Sequence, residues 1–176
     1  MMARDLDGAI GEGWGGEQQI TGSHVNVILA RRGSATAAGL MTAFVTPRPG
    51  HTPILVCVGE HETAYEPVWP PLVMMNKSTA VSDTHQTMTW GAAQLGLAQG
   101  TLDAVADGLI EATDEYIVFV AVWVNPGATD ETAIRKANRE SIRKAIEMAV
   151  KGRDPAAARR LVERRDELTS PFYSGQ

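Results

Sequence analysis

The 176-residue sequence lacks several features that would point directly to a class of function. Its single cysteine, Cys57, excludes an internal disulfide framework and a metal site built from several cysteines. No apolar run approaches the roughly 18 residues of a membrane-spanning helix. The first residues carry no apolar segment typical of a secretory signal. We therefore expect a cytoplasmic protein that does not contact a membrane.

Positive charge is also in short supply. Lysine and arginine together number 16 against 21 aspartates and glutamates, which gives a net charge of −5. Nucleic-acid-binding domains usually carry a basic surface, so this balance argues against a nucleic-acid partner. The arginines near the C-terminus alternate with acidic residues, which favours a solvated helix face or a subunit contact.

The remaining composition is that of an ordinary globular domain, with 44% hydrophobic and 21% charged residues. A chain of this length can bury a sizeable core without disulfides or metal. No linker, internal repeat or shift in composition divides it. We therefore predict one domain over residues 1–176, of which residues 1–8 are expected to be flexible.

Predicted strands and helices follow one another along the whole chain. Strands are predicted over residues 24–29, 54–58, 72–75 and 116–124, and helices over residues 35–46, from Asp83 as N-cap to about residue 109, over 130–151, and from Pro155 onward. The second strand is expected to be buried, with Cys57 as a small hydrophobic residue rather than a nucleophile. This order predicts an α/β (α+β) fold, a single-domain two-layer sandwich in which helices pack on one side of a mixed sheet.

Three short motifs suggest a cofactor or metal, and each fails in its context. Residues 11–16 (GEGWGG) match the dinucleotide-binding fingerprint, but no strand is predicted before them and no helix after them. Residues 61–65 (HETAY) begin like a zinc-protease helix but have tyrosine where the second histidine is needed. Residues 76–79 (NKST) resemble the end of a phosphate loop without its glycines. The sequence therefore predicts neither a metal nor a nucleotide.

His24 is the strongest single candidate for chemistry. It begins the first clear strand and shares a face with Asn26, opposite the alternating valines. Imidazole titrates near neutral pH, so a histidine held in this position can donate a proton. The alternative is a histidine that is simply hydrogen-bonded within the structure.

Lys77 and Gln94 are further candidates, each with a plain structural alternative. Lys77 stands at a strand end beside Ser78 and Thr79, where an ammonium group can hold an anionic or polar ligand or serve as a surface cation. Gln94 lies within the long helix and fits either a buried amide or an exposed position. Neither residue identifies a reaction by itself.

Several segments, taken in order, resemble the formaldehyde-activating enzymes. They are GSHVNVIL at residues 22–29 with RGS at 32–34, NKST at 76–79, WGAAQ at 90–94, AVADGLI at 104–110 and TSPF at 169–172. Each segment is short, but together they span most of the chain in the order that the family shows.

The resemblance implies a homo-pentamer with a ligand cleft between neighbouring subunits. It implies that formaldehyde condenses with tetrahydromethanopterin, as co-substrate, to give the methylene derivative and water, without metal or nucleotide. The family's acid histidine falls on His24. Its pterin-contacting positions fall on Leu55, Lys77, Thr79 and Gln94. A further position, beside the acid on the same strand face, falls on Asn26 and is expected to orient the histidine or bind substrate.

The sequence also departs from the family. Asn26 replaces an aspartate, Ala92 replaces a proline, and the loop over residues 59–71 has no counterpart. A carboxylate at Asn26 would favour the protonated imidazole, whereas an amide keeps only the hydrogen bonding. These changes leave three interpretations open: an active enzyme, a paralogue for another amine or aldehyde, and a non-catalytic pterin- or formaldehyde-binding sensor or carrier. A structural oligomer without either property is the competitor outside this group.

Overall fold

The alternation of side chains along two central strands decides which face of the sheet is buried. In strand β2 (Ser23–Arg31), Val25 and Val27 are fully buried, whereas His24 points to the other face. Strand β7 (Tyr116–Val124) repeats the pattern, with a buried valine at every second position from residue 118. One face therefore forms the main core, and the other, called the open face below, carries His24.

The computed structural model describes residues 5–170, 173 and 175 of the chain. The remaining elements are strands β1 (Ala9–Gly15), β3 (Ile54–Leu55), β4 (Cys57–Val58), β5 (Glu66–Pro67) and β6 (Leu72–Asn76), and helices α1 (Ala35–Val45), α2 (Asp83–Gln86), α3 (Gln94–Ala106), α4 (Glu131–Lys151) and α5 (Pro155–Glu163). A π-helical segment (Thr87–Ala93) joins α2 to α3.

The main sheet has the strand order β1-β2-β7-β6-β3, and all its neighbours are antiparallel except the parallel pair β6 and β7. Helices α3 and α4 pack on the core face. The predicted α/β (α+β) sandwich with a mixed sheet is confirmed. One helix departs from the expected one-sided arrangement, because α1 packs Ala37 on the opposite face against Ala30, Val73 and Phe119.

Two predicted elements are interrupted. The strand predicted over residues 54–58 divides because β3 pairs with β6 while β4 turns away to pair with β5. Leu55 is therefore 47% exposed at the sheet edge, and Cys57 is half-buried, so the expectation that this stretch is a buried strand is wrong.

The long predicted helix ends at Ala106, and its N-cap is Ser82 rather than Asp83. The Ser82 hydroxyl accepts a hydrogen bond from the backbone of His85 (3.1 Å).

Helix α4 lies against the backbone of β1 rather than against side chains. Gly11, Gly13 and Gly15 face the helix, and a Cβ atom on any of them would overlap a helix carbonyl oxygen. Those oxygens belong, in the same order, to Ala145, Ser141 and Ala137. Four helical residues rise about 6 Å and two strand residues rise about 6.8 Å, so the two spacings nearly match along the contact. Three of the four glycines of the GEGWGG motif are thus packing residues in a strand.

Helix α3 approaches α4 in a similar way from the other side. A Cβ atom at Gly96 or Gly100 would overlap the carbonyl oxygens of Arg135 or Arg139 on α4. Helix α4 is therefore in backbone-level contact with both β1 and α3.

The two ends of the described chain are attached differently. Asp7 accepts hydrogen bonds from the Arg31 backbone (2.7 Å) and the Ser34 hydroxyl (2.8 Å), which ties residues 5–8 to β2. Residues 1–4 lie outside the described residues, as do Pro171 and Phe172 of the TSPF segment, and flexibility over residues 1–8 stays a prediction. At the other end, α5 buries none of its residues. Among the described residues, no helix is both long and apolar enough to span a bilayer.

We expect Gly13→Ala to lower the free energy of unfolding by roughly 2 kcal/mol or more, because the new methyl group would force α4 away from the sheet. Gly39→Ala is the matched control, since Gly39 lies in α1 with no atom within 4 Å of the added carbon. That control should gain stability, by up to about 1 kcal/mol. Urea unfolding followed by circular dichroism measures both, and equal effects would contradict the close contact.

Candidate active site on the open face of the sheet

The open face of the sheet places two tryptophans on either side of His24. In the strand register, His24 of β2 lies opposite Trp14 of β1 and opposite Trp123 of β7. The centroids of the two indole rings are 6.3 Å apart in a stacked arrangement. The imidazole of His24 is 34% exposed, so a small substrate can reach it from solvent.

His24 is held by a partner on each ring nitrogen. Its Nε2 lies 2.8 Å from the Glu12 carboxylate, and its Nδ1 lies 2.7 Å from the Lys77 Nζ. A protonated lysine has only donors, so Nδ1 must be the acceptor of that hydrogen bond. Nε2 then carries the ring proton and donates a hydrogen bond to the Glu12 carboxylate. The three side chains form one chain of hydrogen bonds across β1, β2 and the end of β6.

Lys77 has the clearest electrostatic perturbation in this group. Its partial burial at the sheet surface lowers the pKa from the ordinary 10.5 to about 8, while the negative charge of Glu12 acts in the opposite direction. Desolvation is the larger of the two effects because the Glu12 side chain is 58% exposed and well screened. Near pH 7 roughly a tenth of the Lys77 population is therefore a neutral amine.

Asn26 and Leu55 lie on the same open face. Asn26 is two residues from His24 along β2 and is paired in register with Glu12. Leu55 is paired with Val73, further along the face toward the sheet edge. The structure thus brings His24, Asn26 and Lys77 together, with Leu55 on the same surface.

Thr79 lies two residues beyond Lys77 but is bound to a different histidine. The His51 Nδ1 donates to the Asn76 carbonyl (2.9 Å), so its Nε2 accepts the Thr79 hydroxyl hydrogen over 3.4 Å. The Asn76 side-chain amide donates to the carbonyl of Gly50 (2.6 Å) and shapes the same loop. These bonds hold Thr79 against the turn that follows α1.

Gln94 lies on the other side of the sheet from His24. It begins α3 in the helix layer, and its side-chain amide donates to the Cys57 carbonyl (3.2 Å). His24 projects from the opposite face of the sheet. Within one chain, therefore, Gln94 does not join the hydrogen-bonded group at His24.

Three residues of this surface escaped the sequence prediction: Glu12, Trp14 and Trp123. The signal for Glu12 and Trp14 was present, because GEGWG alternates glycine with a large residue as a half-buried strand does. The comparison with a dinucleotide fingerprint obscured that alternation. Trp123 lay in a stretch that was predicted only as a strand. Over residues 5–170, 173 and 175, no group of three His, Cys, Asp or Glu side chains is arranged to hold a metal ion.

Replacing Lys77 should change how stability depends on pH. Below about pH 8 the folded and unfolded chains both carry the charge, and the folded chain bears the desolvation cost. Between about 8 and 10.5 the folded lysine loses its proton first, so the cost disappears as the pH rises. The unfolding temperature of the wild type should therefore rise relative to Lys77→Met from pH 7 to about pH 10. Lys136→Met, at an exposed position on α4, should show the same dependence of the unfolding temperature on pH as the wild type. If the curves of unfolding temperature against pH were parallel for Lys77→Met and Lys136→Met, the lowered pKa of Lys77 would be refuted.

Comparison with known proteins connects this chain with one family. A sequence profile of the formaldehyde-activating enzymes matches residues 10–173. A Methanosarcina barkeri protein named 5,6,7,8-tetrahydromethanopterin hydro-lyase is 30% identical over 152 residues, which cover 85% of this chain and 82% of that relative. A bifunctional enzyme Fae/Hps of Archaeoglobus fulgidus is 31% identical over 131 residues, or 73% of this chain.

The matched regions differ in extent between these relatives. The alignment covers only 32% of the bifunctional protein, so this chain corresponds to about a third of it. The match to the hydro-lyase covers most of both chains. Because the profile and the hydro-lyase both match the chain over nearly its whole length, the chain belongs to the formaldehyde-activating enzyme family.

Proposed function

We propose that this chain condenses formaldehyde with tetrahydromethanopterin, or with a related reduced pterin, to give the methylene derivative and water. The observation that carries the proposal is the hydrogen-bonded group of Glu12, His24 and Lys77 on the open face. It lies at the position where the family resemblance expects an acid histidine. The hydro-lyase name of the relative supports the same reaction.

The proposed reaction needs one well-placed proton. A pterin amine adds to formaldehyde and gives a carbinolamine, whose hydroxyl group leaves as water only after protonation. His24 can receive a proton from Lys77 at Nδ1 and deliver it to that hydroxyl, while Glu12 holds the ring through Nε2. The second pterin nitrogen then closes on the iminium carbon. Since this condensation proceeds slowly without a catalyst, orientation and general acid catalysis of about 10²–10⁴-fold are enough.

The remaining positions are proposed to bind the pterin. Asn26 orients His24 or the substrate, and Leu55, Lys77, Thr79 and Gln94 contact the pterin. The position of Gln94 on the opposite layer supports a cleft formed by two neighbouring subunits of a homo-oligomer, with a pentamer expected from the family. The reaction as proposed uses no metal and no nucleotide, and the protein is expected in the cytoplasm.

The rate of methylene-pterin formation tests the reaction. Purified protein is mixed with formaldehyde and tetrahydromethanopterin, or with tetrahydrofolate in parallel, and the rate without protein is subtracted. We expect acceleration by the wild type and a loss of roughly 100-fold or more in His24→Ala. Full activity in His24→Ala would show that the acid has been wrongly assigned.

Asn26 favours a second candidate function, a non-catalytic pterin- or formaldehyde-binding protein. The resemblance expects an aspartate there, and an amide cannot stabilise a neighbouring imidazolium by charge. In a weakened enzyme, Asn26→Asp should raise the rate of the same assay several-fold. If the wild type and Asn26→Asp both bind the pterin tightly without accelerating the reaction, the protein is a binding protein. If they show no binding and no acceleration, the remaining interpretation is a structural oligomer.

A mixing experiment tests the shared cleft. His24→Ala and Gln94→Ala, each with low activity alone, are co-expressed with different tags, and the hybrid oligomers are purified. If His24 and Gln94 reach one site from neighbouring subunits, about a quarter of the sites in an equal mixture regain both side chains. Activity well above that of either parent is expected. Hybrid activity that equals the mean of the two parents would contradict a shared site.

A further inference from the structure

We propose that Lys77 is a nucleophile that captures formaldehyde covalently, as an iminium on its side-chain nitrogen. The capture itself requires only formaldehyde. Its place before transfer to a pterin rests on the function proposed above, and by this route the water is lost on the Lys77 nitrogen instead of on the pterin amine.

The geometry carries this assignment. A nucleophile with a base in hydrogen-bond contact, and a third group that orients the base, is the arrangement by which proteins activate hydroxyl, thiol and amine groups. Here the Lys77 Nζ lies 2.7 Å from the His24 Nδ1, and the His24 Nε2 lies 2.8 Å from the Glu12 carboxylate. The amine, the base and the orienting carboxylate follow one another without a gap.

Lys77 also differs from every other lysine of the chain. The sequence contains four lysines, and the other three, Lys136, Lys144 and Lys151, are exposed on α4. Lys144 and Lys151 are each ion-paired with a glutamate one helical turn away, and neither has a base beside its nitrogen in those pairs. The Lys77 Nζ is instead hydrogen-bonded to the imidazole of His24. The lowered pKa of Lys77 supplies the neutral amine that addition to a carbonyl requires.

The capture step balances in atoms and charge. The Lys77 ammonium gives one proton to the His24 Nδ1, and the free amine attacks the formaldehyde carbon to form a carbinolamine. The imidazolium of His24 returns the proton to the hydroxyl group, which leaves as water as the nitrogen–carbon double bond forms. One ammonium and one formaldehyde thus become one iminium and one water, with a single positive charge throughout.

Release of the carbon is an amine exchange. A secondary amine of the acceptor attacks the iminium carbon, and the proton of that amine moves to the Lys77 nitrogen as the bond to lysine breaks. The acceptor now carries the iminium, and its second amine closes the ring with loss of a proton. No oxidant, reductant or metal is needed in any of these steps.

Reductive trapping without pterin tests the capture. The protein is treated at pH 7 with a small amount of isotopically labelled formaldehyde and cyanoborohydride, which reduces an iminium to a methylamine. Peptide mass spectrometry then gives the rate of methylation at each lysine. We expect Lys77 to be methylated at least about tenfold faster than the three lysines of α4, because its lowered pKa supplies the neutral amine and the adjacent His24 takes up the proton that the amine loses.

Two variants show whether the hydrogen-bonded chain is responsible. His24→Ala and the milder His24→Gln, which removes the base but keeps a hydrogen-bonding side chain, should bring Lys77 methylation down toward that of the α4 lysines, while methylation at those three positions stays unchanged. Preferential methylation of Lys77 that survives both variants would overturn the role of His24 as base. Equal methylation of all four lysines in the wild type would overturn the capture itself.

The result is separable from the proposed condensation. If Lys77 is not preferentially methylated but the protein still accelerates methylene-pterin formation, the capture proposal fails and the condensation stands. If Lys77 is preferentially methylated and no pterin reacts faster, the capture stands and the condensation proposal fails. In the second case the protein holds formaldehyde for an amine other than these pterins.

Discussion

The contact of α4 with glycine backbone on two sides is the constraint on which the rest of this structure depends. Helix α4 approaches β1 at Gly11, Gly13 and Gly15, and α3 at Gly96 and Gly100, so closely that no side chain fits between. Van der Waals contact between backbones leaves little freedom in the distance or the tilt of the helix. Helices α3 and α4 are therefore fixed against one face of the sheet, and the candidate site lies on the other face.

This constraint also explains how one strand serves two purposes. Successive residues of a strand point to opposite faces. The glycines of β1 occupy the packed face, and Glu12 and Trp14 between them reach the open face next to His24. A slip of β1 by one residue would drive both large side chains into α4. The distance from the Glu12 carboxylate to the His24 imidazole is thus maintained by the steric demands of the core.

The sequence was most informative where the physical signal is local and periodic. The alternating valines of β2 identified that strand and its buried face, because burial imposes that periodicity directly. The position of His24 on the open face followed from the same alternation. Ser82 was missed as N-cap because Asp83 offers the same chemistry one residue later, and the sequence alone does not show which of the two side chains reaches the helix.

The parts that escaped prediction depend on pairing between distant segments. Leu55 is exposed because β3 is a two-residue edge strand, a fact that its own apolar neighbours conceal. Glu12 becomes part of the site only through the register of β1 against β2. Gln94 lies in the other layer, and no local pattern distinguishes the two layers for a residue near a helix start. Family resemblance pointed to His24, Asn26 and Lys77, whose roles stay predictions, and the pairing of strands brings the three residues to one surface.

The π-helical segment before α3 has a consequence for the direction of every residue after it. An α-helix turns by about 100° per residue, so a stretch wound more widely shifts the angular phase of the helix that follows. After Thr87–Ala93, that phase sends the Gln94 amide to the Cys57 carbonyl and turns Gly96 and Gly100 toward α4. The widened turn therefore lets α3 satisfy two angular requirements: a polar contact at its first residue, and close packing of Gly96 and Gly100 against α4.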